Sequence, residues 1–176
     1  MYKVIKKHLI LRSPEAGDVN SLLAVKNNRE AAKTLAGNNL GYERSDIEKW
    51  IDYHLSNQSN EICVIEYEGL VIGHVGFYNL DTKLKCAEFG ILIGLPAYWG
   101  RGLGKLVTNE FINYGFDILG LSRITLEVLE ENVKAIAIYE KLGFRFSDDG
   151  YKTVSKDGVQ KKIVQMYLSR NQFNNV

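Results

Sequence analysis

Proline and cysteine are scarce, each occurring twice in 176 residues. The two cysteines, Cys63 and Cys86, have no metal-binding spacing, and each sits among apolar neighbours. They read as buried, reduced thiols of a cytoplasmic protein, and no metal is expected. The two prolines, Pro14 and Pro96, fall where breaks between elements are wanted. A surplus of either charge is also missing: 22 Lys plus Arg stand against 21 Asp plus Glu, a net charge of +1. That balance argues against a nucleic-acid or membrane partner. No apolar run is long enough to span a bilayer. The start, Met1 to Lys7, lacks the apolar stretch of a signal peptide. With no low-complexity linker and no internal repeat, the expectation is one domain over residues 1–176.

Apolar residues make up 45% of the chain, enough for a sizeable core. The pattern predicts a first strand at Leu9-Ile10-Leu11-Arg12. A helix then opens at Ser13-Pro14-Glu15, with Ser13 as N-cap and Leu22, Leu23 and Val25 on its apolar face. A second helix fits Ser45 to Leu55. Ser45-Asp46-Ile47-Glu48 has the capping-box order, and Ile47, Trp50, Ile51 and Leu55 have helical spacing. Strands follow at Glu61–Glu66 and Leu70–Tyr78, with Glu68-Gly69 as the turn between them, and at Cys86–Ile93. A long amphipathic helix runs from about Lys105 to Leu119, then a strand from Ile124 to Val128. Asn132 caps a short helix that Gly143 ends. Gly150–Lys156 and Ile163–Leu168 read as closing strands joined at Asp157-Gly158. The fold class is therefore α/β (α+β), with a mixed, mostly antiparallel sheet flanked by helices.

The most informative stretch is Trp99-Gly100-Arg101-Gly102-Leu103-Gly104-Lys105, between a strand and a helix. Glycines at alternate positions let a ligand approach the backbone amides. The helix that follows offers unpaired N–H groups and a positive dipole end, a combination that binds phosphate or pyrophosphate. Arg101 and Lys105 add charge at the rim. A Walker A loop is excluded twice, because Trp99 stands where the first glycine belongs and Leu106 follows Lys105. The dinucleotide fingerprint fails because the third glycine comes one residue early. A glycine-rich turn that binds nothing is the competing reading.

The second informative stretch is Asn132 through Phe144. Tyr139 lies two turns beyond Asn132, about 10 Å along the axis. Taken on spacing alone, it is an ordinary half-buried tyrosine.

Together and in this order, the two stretches resemble the GNAT superfamily of N-acetyltransferases. Trp99 to Gly104 is similar to its pyrophosphate loop, Gln/Arg-x-x-Gly-x-Gly/Ala. Asn132 to Phe144 is similar to its Asn-x-x-Ala/Ser-x-x-x-Tyr-x-Lys-x-Gly-Phe signature. Trp99 departs from the usual Gln/Arg, a variant typical of the RimJ/RimL-like branch, which also holds spermidine and nucleotide-amino-sugar acetyltransferases.

The resemblance implies a GNAT-type acyl-CoA-binding fold, with acetyl-CoA as co-substrate and an amine as acceptor. Pyrophosphate would sit on amides from Arg101 to Lys105. Pantetheine would pair like an added strand with Ile91-Leu92-Ile93, and an N–H near Ile93 would face the thioester oxygen. Asn132 would hydrogen-bond the pantetheine arm or a water. Tyr139 matches the position that donates a proton to the departing thiolate. Glu88 matches a position often acidic in this branch and is the candidate base; it reads equally as a solvent-facing strand residue or an ion-pair partner. Glu127 and Glu130 read as surface charges or substrate-orienting groups, and His74 as a packed strand histidine. His8 and His54 have no supporting context.

The acceptor stays open between a polyamine, an amino sugar nucleotide and a protein N-terminus. Glu43, Asp46, Glu48 and Asp52 offer acids to a polyamine, diluted by Lys33, Arg44 and Lys49. Tyr42, Arg44, Trp50 and Tyr53 offer aromatic and basic groups to a nucleotide, although its spacing puts Trp50 in the core. A non-catalytic acyl-CoA sensor or interaction module is the alternative class, and a phosphate-binding kinase fails on the loop. The resemblance also implies a homodimer built on exposed edge strands near the C-terminal end.

Overall fold

The computed structural model describes residues 2–6, 8–37, 40–156 and 158–173. Among them, eight strands form one sheet: β1 (Tyr2–Lys6), β2 (Leu9–Arg12), β3 (Glu61–Tyr67), β4 (Leu70–Asp81), β5 (Cys86–Ile93), β6 (Arg123–Leu129), β7 (Arg145–Lys156) and β8 (Val159–Ser169). Six α-helices accompany them: α1 (Val19–Lys26), α2 (Arg29–Lys33), α3 (Arg44–Ser56), α4 (Leu103–Asp117), α5 (Val133–Lys141) and α6 (Arg170–Phe173). The strand order is β1-β2-β3-β4-β5-β6-β8-β7. Every neighbouring pair is antiparallel except β5 and β6.

The sheet separates two cores. On one face α4 buries Leu103, Val107, Phe111, Ile112 and Phe116 against Ile72, Val75 and Phe77 of β4 and Phe89 of β5. Gly115 is required there. A Cβ on it would lie 2.5 Å from Phe77 Cζ, well inside contact distance. On the other face α1 and α3 close over Val64 and Val71, using Val19 and Leu22 with Ile47 and Ile51.

Several boundaries differ from the sequence-based expectations, each for a local reason. Ser13 is not an N-cap. The chain after Pro14 enters a 3₁₀ turn at Ala16–Asp18, and α1 begins at Val19. Asp18 sets this start: its carboxylate accepts from the Glu15 N–H (2.8 Å) and from both terminal nitrogens of Arg12 (2.7 Å each). The α3 cap likewise moves from Ser45 to Glu43, whose N–H donates to Asp46 Oδ2 at 2.8 Å. Leu55 is exposed, not packed, and Cys86 is half-buried while Cys63 is fully buried. Strand β1 and helix α2 were not anticipated. The Glu68-Gly69 turn carries φ values of 53° and 79°, the left-handed pair that a tight hairpin needs. Of the turn expected at Asp157-Gly158, Asp157 lies outside the described residues, and Gly158 has φ 76°.

The parallel contact positions the site. β5 and β6 pair only at Cys86 with Arg123, Ala87 with Ile124, and Glu88 with Thr125. Beyond that rung β5 stays with β4 as far as Ile93, and β6 stays with β8 as far as Leu129. The sheet therefore forks, and each branch turns an unpaired edge toward the other.

Candidate active site

The fork opens a cavity of about 340 Å³. Glu88, Phe89, Gly90, Ile91 and Leu92 line one side, and Glu127 and Val128 the other. Asn132, Ala135 and Tyr139 of α5 close one end, and the segment Thr34–Gly37, Lys26, Tyr42, His74 and Tyr78 complete the wall.

Strand β5 connects this cavity to the glycine loop. From Glu88 to Ile93 it spans roughly 17 Å at strand rise. Trp99 Nε1 then donates to the Ile93 carbonyl at 2.7 Å, tying the loop to the strand end. This is what the tryptophan does in place of a polar residue. Gly100 and Gly102 have φ values of 74° and 76°, so both need glycine's freedom. Gly102 is the N-cap of α4 and has no side chain to satisfy the first helical amides. Leu103 is the first helical residue and buries its side chain, which fixes its amide at the surface of the loop. Gly104 is different. A Cβ there meets only Ile93 Cδ1 at an ordinary 3.8 Å, so the fold itself does not demand glycine. Arg101 lies over the Tyr98 ring at 5.1 Å, and both Arg101 and Lys105 are exposed.

Tyr139 reaches the cavity from α5 and is only 8% exposed. Its ring stands edge-on to Phe89 at 6.3 Å and beside Phe144 at 5.7 Å. Its hydroxyl has no hydrogen-bond partner among the described residues. Burial pushes its pKa up to about 12, so it keeps its proton at neutral pH. Glu88 sits across the fork, half-buried, with Asn79 Nδ2 at 3.4 Å as a weak donor. Asn132 caps α5 by accepting from the Ala135 N–H at 3.3 Å, and its Nδ2 donates to the Thr34 carbonyl at 3.2 Å. One amide group thus holds the helix and the opposite wall together. Lys156, buried on β7, holds that wall from behind by donating to the carbonyls of Ala32, Leu35 and Gly37.

Glu88, Ile91, Leu92, Asn132 and Tyr139 therefore share one cavity, while Ile93 and the loop from Trp99 to Lys105 continue from its end. The sequence reading missed Lys26, Tyr78 and Thr34–Gly37 as lining groups, while Tyr42, which it offered to a nucleotide acceptor, does line the cavity. One signal was available: Lys26 follows Val19 and Leu22 at helical spacing, so it falls on the buried stripe of α1. His74 is packed, as expected, at 8% exposure, yet it also borders the cavity. His54 is held among Trp50, Tyr53 and Tyr78. Burial lowers both imidazole pKa values, that of His54 to about 4.

The profile of the acetyltransferase (GNAT) domain matches residues 8–145. Spermidine N(1)-acetyltransferase of Escherichia coli is 33% identical over 131 residues, covering 74% of this chain and 68% of that one. The crystal structure of spermidine N-acetyltransferase from Vibrio cholerae, in complex with CoA and spermine, superposes with a TM-score of 0.85 at 26% identity, covering 97% of this chain and all (100%) of that one. A dodecameric structure of the same enzyme gives 0.81 at 26% identity, with 97% and 98% covered. The forked sheet, the glycine loop and these likenesses agree, and the chain belongs to the GNAT acetyltransferase family, as an acyltransferase whose acetyl donor is acetyl-CoA.

Proposed function

We propose that this chain transfers the acetyl group to a small primary amine by direct attack within a ternary complex. The observation that carries this reading is the fork: a buried, protonated tyrosine and a half-buried carboxylate face one cavity beside an unpaired strand edge. Pantetheine amides would pair with β5 at Ile91 to Ile93, and the pyrophosphate would rest on the amides of Arg101 to Lys105, with Trp99 and Gly100 shaping the approach. The Ile93 carbonyl is occupied by Trp99, so its N–H is the group left for the thioester oxygen. Asn132 has one amide hydrogen and one lone pair beyond its present bonds, enough for a pantetheine group or a water.

The chemistry balances without a further reactant. The amine nitrogen forms a C–N bond to the thioester carbon as the C–S bond breaks. Glu88 takes the amine proton, directly or through a water, and Tyr139 offers its O–H to the leaving sulfur. With a tyrosine pKa of about 12, that contact is a hydrogen bond that stabilises the thiolate more than a completed proton transfer.

One sheet carrying strands from both ends of the described chain supports a single domain. Edge strand β7 exposes Phe146 and Tyr151, which supports self-association there; a relative that forms a dodecamer supports an assembly beyond a dimer. Two free thiols support a reducing, cytoplasmic setting. No helix among the described residues is long and apolar enough to cross a membrane. The test of the central reading is incubation with acetyl-CoA and a panel of amines, with CoA release and product masses followed together. Acetylated amine in step with CoA release is expected; tight acetyl-CoA binding without any product from any amine would return the chain to a sensor.

A further inference from the structure

Lys26 ends α1 on the cavity wall, and nothing in the acetyl-transfer reading uses it. Its ammonium lies 4.3 Å from the Trp50 ring centroid and 5.5 Å from that of Tyr42. The only hydrogen-bond contact it makes among the described residues is with His74 Nε2, at 3.4 Å. Among those residues no carboxylate lies within ion-pair distance of it. A half-buried ammonium held by two rings and an imidazole is a cation short of an anion.

The surroundings repeat the shortage. His74 is more than nine-tenths buried, borders the same cavity, and has no partner for Nδ1; His54 Nδ1, behind it, is likewise buried and unpartnered. The acids that line the cavity are Glu88 and Glu127. Glu127 is already paired with Lys152. One carboxylate thus remains to receive a substrate ammonium, and one cation lines the same cavity with no carboxylate partner among the described residues. A polyamine needs several acids and no competing cation, whereas this cavity has two acids, one of them already paired, and a cation.

Resting on the transfer reading above and narrowing its acceptor, we propose that the amine substrate also carries an anionic group, a carboxylate or a phosphate, which Lys26 binds while the amine lies at Glu88. The two aromatic rings around Lys26 limit its hydration and leave its charge directed at whatever enters the cavity.

The test compares four acceptors of matched chain: butylamine, 4-aminobutyrate, 4-aminobutyl phosphate and spermidine. The proposal expects kcat/KM for at least one anionic acceptor to exceed that for butylamine by about tenfold or more, as a charge-assisted hydrogen bond gives, with spermidine lowest. The better of the two anions identifies the source of the charge. Lys26→Met collapses the preference to near parity through KM more than kcat, and Lys26→Arg restores it. Acetyl-CoA binding by each variant confirms that it is folded. Preference for spermidine, or an anion preference that survives Lys26→Met, overturns the proposal. Turnover of butylamine and spermidine without any anion preference overturns it alone and leaves the transfer reading standing. No product from any acceptor overturns both.

Discussion

Glu88 and Thr125 form the last rung between β5 and β6, so the carboxylate proposed to receive the amine proton stands where the two strands part. Strand pairing fixes the backbone of Glu88 from both sides, with Tyr78 of β4 opposite it on the other. A residue at the root of a fork is rigid in its main chain and open in front of its side chain. That is the combination a general base needs.

Replacing Glu88 by Gln tests this directly. The variant keeps the shape and loses the proton acceptor. Its kcat/KM for an amine should fall on the order of a hundredfold near neutral pH. An unchanged kcat/KM would mean that the amine loses its proton elsewhere, before it reaches the cavity.

Gly102→Ala tests the loop. Its φ of 76° places an alanine in the left-handed region, at a cost of about 1–2 kcal/mol. The loop relaxes away from the helix N-terminus, so acetyl-CoA affinity measured calorimetrically should drop about tenfold. The same substitution at Gly104 has room for its Cβ in the free protein. Loss of acetyl-CoA binding in Gly104→Ala with unchanged thermal stability would locate the ligand against that backbone.

Lys156 supports the cavity from outside it. Lys156→Met leaves carbonyls of Ala32, Leu35 and Gly37 without their buried donor, which should destabilise the protein by about 1–3 kcal/mol in urea unfolding. Because Thr34 is also held by Asn132, the wall moves with α5, and the acceptor KM should rise with the loss of stability.

The anion site has its own pH signature. Burial lowers the Lys26 pKa to about 8. Facing it are His74 from β4, His54 from α3 and Tyr42, with Tyr78 and Glu88 across the cavity; both imidazoles are neutral at this pH. Below about pH 8 the ammonium is charged and holds an anion; above it the charge is lost. The ratio of KM for 4-aminobutyrate to KM for butylamine should therefore rise as pH passes about 8, and stay flat in Lys26→Met. Taking the ratio removes the separate effect of pH on the amine nucleophile.

Much of the scaffold was legible because local chemistry and tertiary structure agree. The Cys86–Ile93 strand, the Asn132 cap and the Gly143 stop, with φ 91°, fall where the sequence placed them. Ser13 and Ser45 failed as caps because acidic residues nearby had stronger partners. Asp18 is recruited by Arg12, which is six positions away in sequence and in another element. The fork was not legible, since nothing in β5 or β6 marks where pairing stops. Lys26 was hidden for a related reason: a lysine on an apolar stripe has meaning only once Trp50, Tyr42 and His74 arrive from three other segments.

Tyr139→Phe, assayed for turnover and acetyl-CoA affinity side by side, tests the central claim most directly. The hydroxyl has no hydrogen-bond partner to lose among the described residues, and the ring's contacts with Phe89 and Phe144 survive the change. The account predicts a kcat lower by on the order of a hundredfold with acetyl-CoA affinity nearly unchanged. Full turnover in the variant would contradict it, and would remove Tyr139 from the reaction.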